Sequence, residues 1–263
     1  MMNIGRTHIN VICMKVKNKI IERRYVFMKT KSIWGNPPTR LYNLIKIAES
    51  NWHKDFTACV VGCSDGKFLM PFARKGIHVT GYDIDEIALY GGSKLFPIVR
   101  KKVKYKYSKD FKSKDYKLEE RKVVGILDRL KEESLQNFAK IERRDFYKDV
   151  PMEKFNVVFT SCSLHYSVNK DFSLEDKMSK LQSIVLPNGY LYVDYMMAID
   201  EEDYGLYPNS KFFRKREILN YFDDSWKIIS LKENNSPTFE GAHVDCVKDH
   251  FHRFGYILAK RLK

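Results

Sequence analysis

The chain lacks several things a sequence of its length often carries. No run of eighteen apolar residues occurs among its 263, so no segment reads as a membrane-spanning helix. Its five cysteines are scattered at positions 13, 59, 63, 162 and 246 with no CxxC pair, which argues against a disulfide framework and for a reducing, cytoplasmic setting. Met1 to Cys13 holds a basic Arg6, but Thr7, His8 and Asn10 interrupt its apolar residues, and it makes a poor signal peptide. No internal repeat is present. Acid is the scarcer charge, with 33 Asp and Glu against 47 Lys and Arg, a net charge of +14. That balance keeps a nucleic-acid partner in view, or reflects drift of the whole composition. The basic excess concentrates in Lys94 to Lys122, which suits a solvated helical face or an RNA groove.

What is present is enough for a core. Length favours one enlarged domain over two. The most informative stretch is Thr57-Ala58-Cys59-Val60-Val61-Gly62-Cys63-Ser64-Asp65-Gly66, followed by Ile77-His78-Val79-Thr80-Gly81-Tyr82-Asp83. It reads as a buried strand, a tight turn, a helix, a second strand and an acid at that strand's end. Such a start builds a nucleotide pocket: small residues let the backbone approach the ligand, and a carboxylate holds ribose hydroxyls. Gly62, Ser64 and Gly66 stand where three glycines are usual, so the turn alone carries little weight. An ordinary α/β turn is the competing reading.

The rest of the chain alternates. Thr39 or Asn36 can cap a helix to about Ser50, with Leu41, Leu44, Ile45 and Ala48 on one face. Helices are expected at 67–75, 86–96, 174–185 and 213–222, and strands at 139–143, 155–159, 190–196, 226–231 and 251–260. Residues 15–32 could form a helix within an amino-terminal arm, 1–33, and 34–263 would be the main domain. Residues 97–138 interrupt the alternation and are expected to be a partly helical insertion serving as a lid or docking module. The pattern indicates an α/β, doubly wound, mostly parallel sheet, with ligands outside the carboxyl ends of its strands.

Here the chain resembles the class I S-adenosylmethionine-dependent methyltransferases. The resemblance runs through Val61 to Gly66, Gly81-Tyr82-Asp83-Ile84-Asp85, Phe155-Asn156-Val157-Val158-Phe159 and Leu186-Pro187-Asn188-Gly189-Tyr190-Leu191. Tyr207 to Phe212 adds a looser similarity to the tellurite-resistance and thiopurine methyltransferases. The resemblance implies a seven-stranded Rossmann-like sheet and S-adenosylmethionine as cofactor. It places Gly62, Cys63, Ser64 and Gly66 at the methionine end, Asp83 on the ribose and Ile84 on the adenine. Asp145 and Phe146 would meet the adenine amino group and ring, and Ser161 would close over the methionine. This sequence departs from the family at Val60, where an acid is usual, and at Ser64, the middle glycine position.

The expected chemistry is in-line methyl transfer to a small molecule, which requires chiefly that the acceptor be held against the methyl group. His165, Tyr166 and Tyr195 are the candidate acid–base groups, with loop hydrogen bonding or packing as their plainer roles. Cys162 reads as packing. His243, Asp245, His250 and His252 form two pairs at strand spacing; meeting in a hairpin, they have ligand types suited to zinc or iron, though no motif fixes a metal. The alternatives are an RNA or protein methyltransferase using the basic insertion, and a degenerate, non-catalytic binding protein. No membrane partner is expected, and oligomeric state is not legible.

Overall fold

The computed structural model describes residues 32–99, 103–165, 172–199 and 212–263. The expected arm helix, Tyr166 and the segment Tyr207 to Lys211 lie outside the described residues.

The chain opens with α1 (Thr39–Trp52), β1 (Thr57–Val61), α2 (Met70–Arg74), β2 (His78–Asp83) and α3 (Glu86–Tyr90). A hairpin follows, β3 (Gly92–Pro97) and β4 (Leu118–Val123), then α4 (Ile126–Glu132) and β5 (Ala139–Arg143). The remainder is β6 (Phe155–Ser161), α5 (Leu174–Ser183), β7 (Val185–Met197), β8 (Trp226–Glu233), β9 (Thr238–Glu240) and β10 (His250–Arg261). Seven strands run in the order β5-β2-β1-β6-β7-β10-β8, and β9 adds to β10 as an eighth. β5, β2, β1, β6 and β7 are parallel; β10 is antiparallel to both neighbours. The doubly wound α/β expectation holds. Strand order reverses between β1 and β6, so the loops leaving these two strands open a crevice at the carboxyl edge.

Alternation along β1 explains the two layers. Ala58 and Val60 pack with Leu41, Leu44 and Ile45 of α1, Phe72 of α2 and Ile126 of α4. Cys59 and Val61 face the other way, toward Leu174, Met178 and Leu181 of α5. Val60, where an acid is usual in the resemblance, is a fully buried core residue.

Local chemistry sets several boundaries. Asp85 caps α3 by accepting from the amides of Ile87 and Ala88. Ser173 and Asp176 form a reciprocal capping box at α5. α1 begins without a side-chain cap, Pro38 standing at that place, contrary to the expected Thr39 or Asn36 cap. Leu186 to Gly189 lies within β7 as an irregularity, with Asn188 at φ 64°, where β6–β7 pairing shifts register.

The insertion differs from its expected form. The helix stops at Tyr90 because Gly91 and Gly92 have positive φ, and the Lys-rich residues beyond pair as a two-stranded ladder from Gly92↔Val123 to Pro97↔Leu118. α4 belongs to the main core through Ile126 and Leu130. A Cβ on Gly125 would lie 2.3 Å from the Gly91 amide nitrogen, so the two ends of this insertion arm, the arm from here on, touch backbone to backbone. Its extended part crosses to the β9–β10 hairpin. There Tyr105 packs on Phe239 (5.1 Å between ring centres), Phe111 on Phe251 (5.0 Å), and the Tyr116 hydroxyl donates to Asp249 (2.7 Å).

Candidate functional site

A cavity of about 720 Å³ lies at the carboxyl edge, a size suited to a small-molecule ligand. One wall is the turn after β1. The amides of Gly62 and Cys63 donate to the Tyr82 carbonyl, which ties the turn to β2. Gly62, Ser64 and Gly66 all have positive φ. Ser64 holds this conformation while its amide donates to Asp83 Oδ2 at 2.6 Å. Gly66 is needed for close approach, since a Cβ there would meet Ile126 at 2.9 Å; it packs behind the cavity and does not line it. Cys63 is likewise buried, with its sulfur under Gly81, and burial pushes its thiol up.

Asp83 is the hinge of this wall. Its Oδ1 accepts from the amides of Ile84 and Asp85, at 2.8 and 2.9 Å. Burial raises its pKa, and the amides of Asp85, Ser64 and Ile84 pull against that rise without cancelling it. A carboxylate has about four lone-pair directions, so three amides leave room for a further donor from the cavity. Ile84, Asp145 and Phe146 line the same side, and Phe146 packs on Tyr82 at 5.9 Å.

The opposite end is charged. Asp194 on β7 is buried and accepts from Tyr192 (2.9 Å), Ser161 (3.0 Å) and Arg40 of α1 (2.9 Å). Lys67 lines the same region, its pKa lowered chiefly by burial. Trp34 roofs the turn, its indole N–H donating to Ser64 Oγ at 3.0 Å. That roof is anchored through Asp65, which is buried and accepts from the Ser32 hydroxyl and the Ile33 amide, both at 2.7 Å; Arg129 donates to its backbone carbonyl. The sequence reading missed Trp34, Arg40, Asp65 and Asp194. Their signal was weak, since Arg40 and Asp194 meet only in the folded sheet.

The third wall comes from β10 and its hairpin partner. Glu240, His243, Asp245, Phe254 and Tyr256 line it, with Cys162 nearby. Burial, reinforced by Asp194, pushes the Cys162 thiol up to about 12, so it stays protonated. His243, His250 and His252 do come together, around Glu240, which the sequence reading missed. Their Nε2 atoms lie 4.0, 3.7 and 3.1 Å from Glu240 Oε2. Asp245 lines the cavity beside them, and its amide donates to His243 Nδ1. Burial first, then the neighbouring imidazoles, holds His252 neutral with a pKa near 3.

Two expected acid–base groups sit elsewhere. His165 is buried against Phe212, off the cavity wall, and burial with the Lys177 charge lowers its pKa to about 3. Tyr195 lies across Gly255, and its hydroxyl donates to Glu233 rather than into the cavity.

Renumbered along the main sheet, the strand order is 3-2-1-4-5-7-6, with the seventh strand antiparallel. The fold is that of the S-adenosylmethionine-dependent methyltransferases. An S-adenosylmethionine-dependent methyltransferase from Clostridium acetobutylicum superposes with a TM-score of 0.52 at 10% identity, over 92% of this chain and 99% of that one. Magnesium protoporphyrin IX methyltransferase ChlM from Synechocystis, with bound SAH, gives 0.53 at 15% identity, over 93% and 100%. TehB from Haemophilus influenzae gives 0.55 at 13% identity, over 83% of this chain; the chain spans 61% of TehB's length. No family model matches the chain, and no curated protein matches it by sequence. The methyltransferase fold is shared at identities this low, and a fold alone does not name a reaction. Among the described residues, no helix is long and apolar enough to cross a membrane.

Proposed function

We propose that the chain binds S-adenosylmethionine in this cavity and transfers its methyl group to a small-molecule acceptor. One observation carries the reading: Asp83, at the end of β2, lines the cavity with its carboxylate fixed beside the turn after β1. In this reading Asp83 accepts from the ribose hydroxyls. The adenine lies between Ile84 and Phe146, with Asp145 toward its amino group. The zwitterionic methionine end meets the Arg40–Asp194 pair, which supplies both signs of charge where the usual acid is replaced by Val60. The cofactor supplies an electrophilic methyl on sulfonium. The acceptor's lone pair forms the new bond to that carbon, and the carbon–sulfur pair returns to sulfur. An acceptor that arrives protonated releases its proton to the third wall, where Asp245 lines the cavity.

Calorimetry tests the reading. Charge-assisted hydrogen bonds contribute about 1.5–3 kcal/mol, so Asp83→Ala should bind S-adenosylmethionine at least about tenfold more weakly. Unchanged affinity in a folded variant would overturn the assignment, and no binding by the parent protein would leave a non-catalytic relative.

A second reading rests on the arm. Lys104, Lys106, Lys112, Lys114 and Lys117 are exposed, while Tyr105, Tyr107 and Tyr116 between them are half-buried. This basic stripe suits an RNA acceptor. Methylation of RNA that falls steeply between 50 and 200 mM salt would favour it over a small molecule.

A further inference from the structure

We propose that Glu240, His250 and His252 form a site for a divalent transition metal of the zinc class, with His243 placed to complete it. The proposal does not depend on methyl transfer. The strand pairing sets the site: His250 lies opposite Glu240 and His252 opposite Thr238, so two imidazoles and the carboxylate share one face of the β9–β10 hairpin. One ligand atom from each of the three lies within 4.8 Å of the others. Metal bonds of about 2.0–2.1 Å at tetrahedral angles separate neighbouring ligands by roughly 3.4 Å. The separations of 3.1, 3.7 and 4.0 Å from Glu240 to His252, His250 and His243 bracket that value.

Two further observations point to an ion. His250 Nδ1 is 2.9 Å from the Lys248 carbonyl, which places its proton there and turns the Nε2 lone pair toward Glu240. A histidine ligand is commonly oriented this way by a bond from its other nitrogen. Nε2 of His250 then makes no hydrogen bond, although the residue is only 2% exposed. A single proton shared with Glu240 satisfies one imidazole. A cation satisfies Nε2 of both and the carboxylate together. The donor set, imidazole and carboxylate without thiolate, suits zinc or iron. Glu240 and His243 line the cavity, so an open coordination position would face it.

The whole 263-residue chain, dialysed against chelator, is titrated with Zn²⁺ by calorimetry and by competition with a chromophoric chelator. One equivalent should bind with submicromolar affinity. His250→Gln/His252→Gln should weaken this at least a hundredfold, and Cys246→Ser should not. Glu240→Gln retains a hydrogen-bonding partner for the histidines, so it should keep the melting temperature while losing at least tenfold in affinity. Equal binding by parent and histidine variants, or no binding by the parent, would overturn the site. S-adenosylmethionine titrated into the same metal-free samples separates the two readings, because failure of either binding leaves the other standing.

Discussion

His165 shows how burial can change the meaning of a residue. In the sequence it follows β6, where an acceptor would lie, and reads as a base. In the fold it is buried beside Phe212, and a group with a pKa near 3 is a weak proton acceptor at neutral pH. Its consequence is for stability. The folded pKa lies below the unfolded value near 6.5, so the unfolded chain takes up the proton first as pH falls. The stabilisation is complete above pH 6.5 and is lost as pH drops toward 3. Between pH 7 and 5 this one group should account for about 2 kcal/mol of lost stability. Urea unfolding at both pH values should show a smaller loss for His165→Gln than for the parent, and identical losses would remove the effect. Asp83, by contrast, was legible, because one position, the end of a strand, fixes it. Glu240 was not, because only antiparallel pairing brings it to His250.

At the scale of elements, periodicity found the buried strands and the interruption by the insertion, and took the first strand of that insertion for helix. β5 matched its expected span, and β6, β7, β8 and β10 each overran theirs by a few residues. β3 falls where the sequence predicts a continuing helix, because Asp85 gives a strong start signal and the stop depends on φ at Gly91 and Gly92. β9 has three residues, too few for a period. The insertion arm is held by ring contacts of Phe111 with Phe239 and Phe251 and of Tyr105 with Phe239. Phe111→Ala removes a half-buried ring and should loosen this docking by roughly 1–2 kcal/mol, less than a core Phe→Ala. Trypsin should then cut among the lysines between 104 and 117 about tenfold faster, with the central sheet still resistant. An unchanged cleavage rate would mean that the rings do not hold the arm.

At the scale of the molecule, the sheet order and the place of the cavity follow from alternation of strands and helices, which the sequence displays. The cavity's roof does not. Trp34 and Arg40 come from residues before β1, and their partners Ser64 and Asp194 lie 30 and 154 positions away. Ligand binding across this cavity should therefore be felt by the whole domain. S-adenosylhomocysteine at about a hundred times its dissociation constant adds roughly 2.7 kcal/mol to stability. For a domain of this size, that should raise the melting temperature by roughly 5–10 °C in a thermal-shift assay. No shift at saturating ligand would count against cofactor binding.

The contact between Gly91 and Gly125 makes the arm an excursion with one shared entrance and exit. β2 and β5 meet each other without reference to what lies beyond that gate. An arm of another length or sequence can be grafted there while the sheet stays in register, because closing a longer loop adds little free energy. A side chain at position 125 would force the gate apart. Divergence in what the arm touches can thus proceed separately from what the sheet must preserve.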